Sequence, residues 1–324
     1  MNRSRALIIS WFNYWPRVGT THRVLFEQWL KLAPIWASEI DTFYLIDQEM
    51  DFTADDERRL KEIIPNTKIL KSEVSGHHWN QFKWVIPKIE EENMLFLDCD
   101  ALIFEPGVID GWFQGVENGA DFVGSFDGSG GLQEIIKQEY PQMRLLGNRM
   151  GSYYFILTKK LLALVGDYHF EADYFKPGTV IPELNYVTKE GDWVDSFGVF
   201  TLQMLHKGAK MMAIPDPRES IYIQDDDTFS KEPENPDNLG YYHIRNYSLA
   251  RYILASKEAG NKSDYHREIS SVRREILRSL AWFYYMDTEV EHEAKVKELL
   301  KDLKVSDELW ERYMTEFIKY HKLI

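Results

Sequence analysis

The sequence contains a single cysteine, Cys99, in 324 residues, which excludes both an intrachain disulfide and a cysteine-rich zinc module. It also lacks an uninterrupted apolar run of the roughly 18 residues that a membrane-spanning helix needs. The apolar run at residues 6–9 is too short for the core of a signal peptide. Because scarce cysteine also fits a reducing compartment, we expect a soluble, cytoplasmic protein.

The chain has no excess of basic residues either. Lys and Arg number 38 against 52 Asp and Glu, which gives a net charge of −14. Such a surface repels nucleic acid, so we expect no nucleic-acid partner. Acids and bases balance over residues 248–324, and the whole acidic excess therefore lies in residues 1–247. If this acidic part binds a phosphorylated small molecule, a divalent cation is expected between the like charges.

Short apolar runs alternate with helical patterns along the chain. Strands are predicted at residues 6–10, 42–46, 67–71, 94–97, 121–126, 152–157 and 210–214. Helices are predicted between them, among them 79–92, 159–165 and 194–206, and residues 216–242 are expected to form an acidic loop. The alternation predicts an α/β domain over 1–247, with a mostly parallel central sheet flanked by helices. A helical C-terminal extension is predicted for 248–324.

Polar residues follow three of these strands. Ser10, Asp47 and the pair Asp98 and Asp100 each come directly after an apolar run. Ligands of parallel α/β sheets bind beyond the carboxyl ends of the strands. We therefore expect these polar residues to meet at one edge of the sheet.

The strongest motif is Asp98-Cys99-Asp100. In an extended chain, residues i and i+2 point to the same side, roughly 6–7 Å apart. Two carboxylates this close on a partly buried strand end favour a divalent cation, and carboxylate oxygens suit Mg²⁺ or Mn²⁺. The alternative is a polar strand end in which one Asp caps the following turn. A second acidic run, residues 225–227, is interpreted as a solvated loop.

A hydrophobic strand ending in Asp-x-Asp near residue 100, after several strand–loop–helix units, resembles the GT-A fold glycosyltransferases over about residues 6–246. The resemblance implies a Rossmann-like domain that transfers a sugar from a nucleotide-sugar, UDP-sugar by preference, to an acceptor hydroxyl. Such transfer serves the synthesis of surface polysaccharides or glycoconjugates. It also implies Mn²⁺ or Mg²⁺ on the donor diphosphate, with Asp100 as direct ligand and Asp98 at the ribose or the water shell of the metal. His243 is the implied further metal ligand, and Arg245 an implied diphosphate contact.

The same resemblance implies a set of donor-binding side chains. The loop after the first strand lines the nucleotide site, Trp11 or Tyr14 stacks on the base, an acid after the second strand contacts the base, and a lysine precedes the Asp-x-Asp strand. In this sequence the residues at those places are Ser10, Trp11, Asn13, Tyr14, Asp47 and Lys83. The alternatives are core packing for the aromatic residues and plain surface exposure for Lys83.

Two further acids, Asp192 and Asp195, lie at the start of the predicted helix 194–206. This segment resembles the family's acidic pair at a helix start, whose second acid is the base of inverting members. Asp195 matches that acid, and Asp192 is its rival because Val194 stands where the first acid is expected. The helix dipole would keep Asp195 ionised, although an acid at this place can also be a simple helix cap.

Two other functions compete with glycosyl transfer. A haloacid-dehalogenase-like phosphohydrolase would use Asp98 as nucleophile, but its acidic motif normally follows the first strand of the fold, and three strands come first here. A non-catalytic nucleotide-sugar-binding subunit is the other alternative. As acceptor we expect a carbohydrate or a lipid-linked molecule.

Basic residues surround an apolar stripe in the C-terminal part. We interpret them as a solvated face, with peripheral contact to anionic lipid as the alternative. They are Arg267, Arg273, Arg274 and Arg278.

Overall fold

The computed structural model describes residues 4–12, 21–48, 52–74, 78–127, 132, 138–139, 149–214, 220–224, 226–232, 240–243, 273–286 and 290–320. The chain forms two compact units. The first comprises Met1–Phe12, Ala33–Ala101 and Glu105–Asp216, and the second Asn13–Leu32, Leu102–Phe104 and Pro217–Ile324. The boundary expected at residue 247 falls inside the second unit.

A seven-stranded sheet forms the centre of the first unit. Its strands are β1 (Arg5–Phe12), β2 (Thr42–Gln48), β3 (Thr67–Lys71), β4 (Asn93–Asp98), β6 (Phe122–Asp127), β7 (Arg149–Thr158) and β12 (Met211–Ala213). Their order is β12-β6-β7-β4-β1-β2-β3. Only β7 runs antiparallel to its two neighbours, while the other pairs are parallel. The mostly parallel sheet predicted from the sequence is confirmed.

Short strands outside this sheet form three further pairs and a hairpin. They are β5 (Ala101–Ile103), β8 (Asp173–Tyr174), β9 (Val180–Ile181), β10 (Tyr186–Val187), β11 (Trp193–Val194), β13 (Ser220–Ile223), β14 (Phe229–Glu232) and β15 (Tyr241–His243). The pairs are β15 with β5, β11 with β8 and β10 with β9, and β13 and β14 form the hairpin. This hairpin lies within the range 216–242, so the expectation of a loop throughout that range is wrong.

Helices follow or separate most of the strands. They are α1 (Thr21–Trp36), α2 (Ala54–Ile63), α3 (His78–Val85), α4 (Val108–Glu117), α5 (Lys159–Val165), α6 (Gly198–His206), α7 (Arg273–Met286), α8 (Val290–Asp302) and α9 (Asp307–Tyr320). The last three confirm the predicted helical C-terminal part. The predicted helix 79–92 is shorter, because Pro87 lacks an N–H and the chain passes through the 3-10 turn Ile86–Lys88. Within the described ranges, no helix is long and apolar enough to cross a membrane.

Side chains alternate between the two faces of the sheet along each strand, and helices cover both faces. On β7, Phe155 stacks on Phe96 of β4, with ring centroids 5.0 Å apart, and joins the core that α3, α5 and α6 cover. The preceding residue, Tyr154, faces the opposite side and stacks on Trp112 of α4 at 5.5 Å. The sheet is therefore buried between helices on both sides, which explains its continuous apolar strands.

The second unit packs the β13–β14 hairpin on helices α7 and α9. The hydroxyl of Tyr313 donates to the carbonyl of Ile221 at 2.8 Å. Arg278 is buried, and its guanidinium donates to the hydroxyl of Tyr222 at 3.2 Å. The interpretation of Arg278 as part of a solvated or lipid-binding face is therefore wrong. Arg267 and the side chains of the two other predicted arginines lie outside what the structure describes.

A buried carboxylate on the first unit gives the protein a predictable response to acid. Glu91 is 7% exposed and accepts a hydrogen bond from the hydroxyl of Tyr44 at 2.9 Å. Burial alone would raise its pKa, but hydrogen bonds from Thr42 and Tyr44 prevail and lower the pKa of Glu91 below the ordinary 4.5. A carboxyl group whose pKa is lower in the folded state stabilises the protein at pH values above its unfolded-state pKa. This stabilisation is lost as the pH falls through its folded-state pKa.

We therefore expect the free energy of unfolding to decrease as the pH falls below about 4.5, and Glu91→Gln to reduce that pH dependence. Urea denaturation followed between about pH 6 and about pH 3 measures it. Glu92→Gln is the matched control, because Glu92 is exposed and its substitution leaves the hydrogen bonds of Glu91 in place. Equal pH dependence in the wild type and Glu91→Gln would show that Glu91 does not contribute.

Candidate functional site

Three neighbouring parallel strands end at one edge with polar residues that lie within one residue of the same register. Ser10 of β1 lies opposite Asp98 of β4, and the next residue of β1, Trp11, lies opposite Asp47 of β2. Neighbouring strands are about 4.8 Å apart, so the backbones at Asp98 and Asp47 are separated by roughly 10 Å. The structure thus brings Ser10, Asp47 and Asp98 to the carboxyl edge, where α/β sheets bind ligands.

The hydroxyl of Ser10 is held by a residue that the sequence did not single out. The side-chain amide of Gln48 donates to Ser10 Oγ at 2.5 Å, across the β1–β2 pair. Ser10 and Asp47 are both buried, and the backbone carbonyl of Asp47 accepts from Ser72 N at 2.9 Å. The sequence signal for Gln48 was its place directly after Asp47, at the end of the same strand.

Trp11 is fully buried, and its ring meets Phe52 edge to face with centroids 6.3 Å apart. Its ring faces are thus enclosed by the protein, which favours the packing alternative over stacking on a base. Asn13, Tyr14 and Arg245 lie outside the described residues.

The Asp-x-Asp segment is a strand end followed by a turn. Asp98 is the last residue of β4, Cys99 and Asp100 form a turn, and β5 starts at Ala101. The expectation of an extended chain through Asp100 is wrong, because the turn directs the chain out of the large sheet and into pairing with β15. Both carboxylates are half-buried, while Cys99 between them is buried.

His243, the implied further metal ligand, is the last residue of β15. Its side chain lies outside what the structure describes, so its role stays a prediction. Among the side chains that are described, no group of three or more His, Cys, Asp or Glu is placed to hold a metal ion. Asp98 and Asp100 form a pair of oxygen donors of the kind that Mg²⁺ and Mn²⁺ prefer.

Lys83, on α3, already has an anionic neighbour. Its ammonium lies 3.0 Å from Glu171 Oε1, and both side chains are partly exposed. Burial alone would raise the pKa of Glu171, but backbone N–H donors and Lys83 lower it. A diphosphate at Lys83 would have to share or replace Glu171.

Asp195 lies in a turn and not at a helix start. Trp193 and Val194 pair with β8, and α6 begins at Gly198, with Phe197 as its N-cap residue in a left-handed conformation. The predicted start at Val194 is therefore wrong. Ser196 N donates to Asp195 Oδ1 at 2.7 Å, and Gly198 N, at the start of α6, donates to the backbone carbonyl of Asp195. The helix-dipole argument for its ionised state is weakened accordingly.

Asp192 stabilises a turn through hydrogen bonds. Its Oδ2 accepts from Lys189 N at 2.6 Å and from the hydroxyl of Tyr186 at 3.0 Å. Its backbone carbonyl accepts from Phe175 N at 3.1 Å. These three bonds close the turn before β11 and tie it to the chain that follows β8.

A cluster of phenylalanines connects the Asp-x-Asp strand with the turn of Asp195. Phe82 of α3 lies 4.9 Å from Phe96 and 6.0 Å from Phe197, measured between ring centroids. Phe96 is two residues before Asp98, Phe197 is two residues after Asp195, and Phe82 precedes Lys83. The cluster thus fixes the backbone of three predicted site segments to one core.

No protein-family model matches the sequence, and no curated protein matches it. In fold, the chain is similar to glucosyl-3-phosphoglycerate synthase from Mycobacterium tuberculosis, at 11% identity over 65% of this chain and 69% of that one, with a TM-score of 0.42. It is also similar to the glycosyltransferase GlyE of Streptococcus pneumoniae TIGR4, at 14% identity over 66% and 46% of the two chains, with a TM-score of 0.36.

A third similar structure is UDP-glucose pyrophosphorylase complexed with UDP-glucose, at 10% identity over 65% of this chain and 91% of that one, with a TM-score of 0.39. The chain is also similar in fold to a further mycobacterial protein, and it spans 57% of the length of that protein. The synthase has also been solved with Mg²⁺ and UDP. These likenesses concern the fold alone.

Proposed function

We propose that the chain is a metal-dependent glycosyltransferase that moves a sugar from a nucleoside-diphosphate sugar to an acceptor hydroxyl. The observation that carries the proposal is that Ser10, Asp47 and Asp98 lie at the carboxyl ends of three adjacent parallel strands, within one residue of the same register. This arrangement offers hydrogen-bonding groups for a nucleoside on one side and carboxylates for a metal-bound diphosphate on the other.

Asp98 and Asp100 would hold the metal ion, Mn²⁺ or Mg²⁺. Their donor set fits, since both offer carboxylate oxygens and lie half-buried at one turn. When bound, such an ion neutralises the charge that develops on a departing diphosphate. His243 is the proposed further ligand, on the resemblance alone.

Asp47 would accept a hydrogen bond from the base, which favours UDP among the donors. Ser10, held by Gln48, would face the ribose from the neighbouring strand. Lys83 and Arg245 are the proposed cationic contacts of the diphosphate, and Asn13 and Tyr14 the proposed lining of the nucleotide site. Trp11 would support that lining from the core.

Asp195 is the better of the two candidate bases. The Oδ2 of Asp192 is engaged by Lys189 and Tyr186 in closing a turn, and Asp195 is the acid that matches the base of inverting members in the resemblance. Its Oδ1 accepts a hydrogen bond from Ser196 N. A carboxylate oriented by a neighbouring residue can take the proton of an acceptor hydroxyl as it attacks the anomeric carbon. This assignment corresponds to an inverting transfer.

A thermal-shift panel of UDP, GDP and CMP, each with and without Mn²⁺, tests the proposal. We expect UDP with Mn²⁺ to give the largest shift, since a ligand at about 100 times its dissociation constant stabilises by about 2.7 kcal/mol. An assay of sugar transfer from UDP-sugars to added acceptors, followed by the release of UDP, then separates a transferase from a non-catalytic binding subunit. Hydrolysis of an aryl phosphate without any nucleotide response would instead favour the phosphohydrolase, with Asp98 as nucleophile.

A further inference from the structure

Residues 171–194 contain two short ribbons, and the segment packs on the core of the first unit through Ile181 and Leu184. The β8–β11 ribbon pairs Trp193 with Tyr174, and the β9–β10 ribbon pairs Val187 with Val180. Of the six large apolar side chains exposed in the described part of the chain, these four lie in this segment. Exposed apolar side chains that contact one another mark a binding surface, and in this segment Tyr174 and Trp193 do so.

Tyr174 and Trp193 form an open aromatic pair. Tyr174 is 78% exposed and Trp193 is 37% exposed. Their rings are nearly parallel, at 26°, and their centroids are 6.3 Å apart. A direct face-to-face stack would be closer, so the rings are offset sideways, and each leaves part of its surface to solvent.

The ribbons that carry this pair are well braced. Thr188 N donates to the carbonyl of Thr179 at 2.9 Å, and Thr188 Oγ1 donates to the carbonyl of Lys176 at 2.6 Å. Asp192 adds the bonds to Lys189 and Tyr186 described above. The pair is thus displayed by a hydrogen-bonded scaffold, as a binding surface requires.

The net charge of this segment indicates which ligands its aromatic surface can bind. Residues 171–195 include six acids and two lysines, a net charge of −4. Anionic lipid and phosphorylated ligands are repelled by such a segment. A neutral carbohydrate is not, since the C–H face of its pyranose ring can pack on an aromatic face while its hydroxyls stay in contact with water or with acidic neighbours.

We infer that Tyr174 and Trp193 form a stacking platform for a pyranose ring of a neutral carbohydrate acceptor. The inference rests on the proposed function, because Trp193 is two residues before Asp195, the proposed base. A sugar on the platform would present its hydroxyls beside the segment that carries that carboxylate. The acceptor class is then a glycan and not an anionic lipid-linked molecule.

Saturation-transfer NMR and calorimetric titration with maltotriose, cellotriose and chitotriose test the platform. We expect the wild type to bind at least one of these probes, and Tyr174→Ala to weaken that binding about tenfold. Tyr174→Phe, which keeps the ring, should bind as the wild type does. Leu164→Ala is the matched control, because Leu164 is 41% exposed on α5 and lies outside the ribbons.

The outcomes separate the platform from the proposed function. The platform is overturned if no probe binds, if Tyr174→Ala binds as the wild type does, or if Tyr174 is needed for binding to phosphatidylcholine vesicles instead of sugars. The UDP–Mn²⁺ thermal shift is measured on the same samples. If that shift is absent while Tyr174-dependent sugar binding is present, the proposed transfer is overturned, and a carbohydrate-binding site is supported.

Discussion

Replacing Asp100 with alanine is expected to abolish the metal-dependent binding of UDP while the protein stays folded. Asp100 lies half-buried in the turn after β4, two residues after Asp98, and is the proposed direct ligand of the metal. Without the metal, the remaining carboxylate of Asp98 would repel the diphosphate. At a UDP concentration that stabilises the wild type by about 2.7 kcal/mol, the variant should show no Mn²⁺-dependent shift in thermal unfolding.

Asp226→Ala is the control for this experiment. Asp226 belongs to the second acidic run, is exposed, and accepts hydrogen bonds from the backbone N–H and the hydroxyl of Thr228. Its substitution should leave the UDP–Mn²⁺ shift unchanged. A full shift in Asp100→Ala would remove Asp100 from the metal site, and loss of the shift in Asp226→Ala alone would move the cation to the β13–β14 hairpin.

The second large effect is expected for Asp195→Asn, which should lower turnover by at least about 100-fold. Asparagine keeps an oxygen that can accept from Ser196 N, so the turn before α6 should persist. It cannot take a proton from an acceptor hydroxyl. Affinity for UDP should change little, because this carboxylate would act in the chemical step. Initial rates at saturating donor, together with calorimetric UDP titration, measure both quantities.

Asp192→Asn serves as the comparison, since it also keeps acceptors for Lys189 N and for the hydroxyl of Tyr186. We expect a smaller effect on turnover than for Asp195→Asn. If Asp192→Asn is the inactive variant, the two roles are exchanged. If neither variant loses activity, the reaction needs no enzymic base, and NMR of the product should then show the anomeric configuration of the donor retained.

Much of the central sheet could be predicted because its strands are short, apolar and well separated. The strand Thr67–Lys71 and the helix Lys159–Val165 have the bounds expected from the sequence. The start of α2 was also predictable, since Thr53 and Asp56 form the reciprocal hydrogen bonds of a capping box. In each case a local signal, either an apolar run or a capping residue, determines the element.

Features that depend on distant contacts were not predictable. The antiparallel direction of β7 leaves no mark in a strand that is buried on both faces. The start of α6 was placed too early because Val194 pairs with Asp173 of β8, far away in the chain. A Cβ on Gly198 would overlap the side chain of Val194, so the turn between them depends on a close approach that one sequence does not reveal.

Some features of the candidate site could likewise be predicted from the sequence, and others could not. The carboxyl-edge rule alone places Ser10, Asp47 and Asp98 together, because it needs only the strand ends and their parallel direction. The burial of Trp11 and the bond from Gln48 to Ser10 depend on side-chain packing between neighbouring strands. The pairing of Tyr174 with Trp193 across 18 intervening residues had no local signal in the sequence.

The position of Cys99 gives the chain a built-in reporter. It is the single thiol of the sequence, it is 5% exposed, and it lies between the two carboxylates proposed to hold the metal. A thiol reagent can reach it only when the turn after β4 opens, so the labelling rate measures the free energy of that local opening. The most informative part of the proposed site can therefore be followed in the unmodified protein, with each nucleotide and metal in turn.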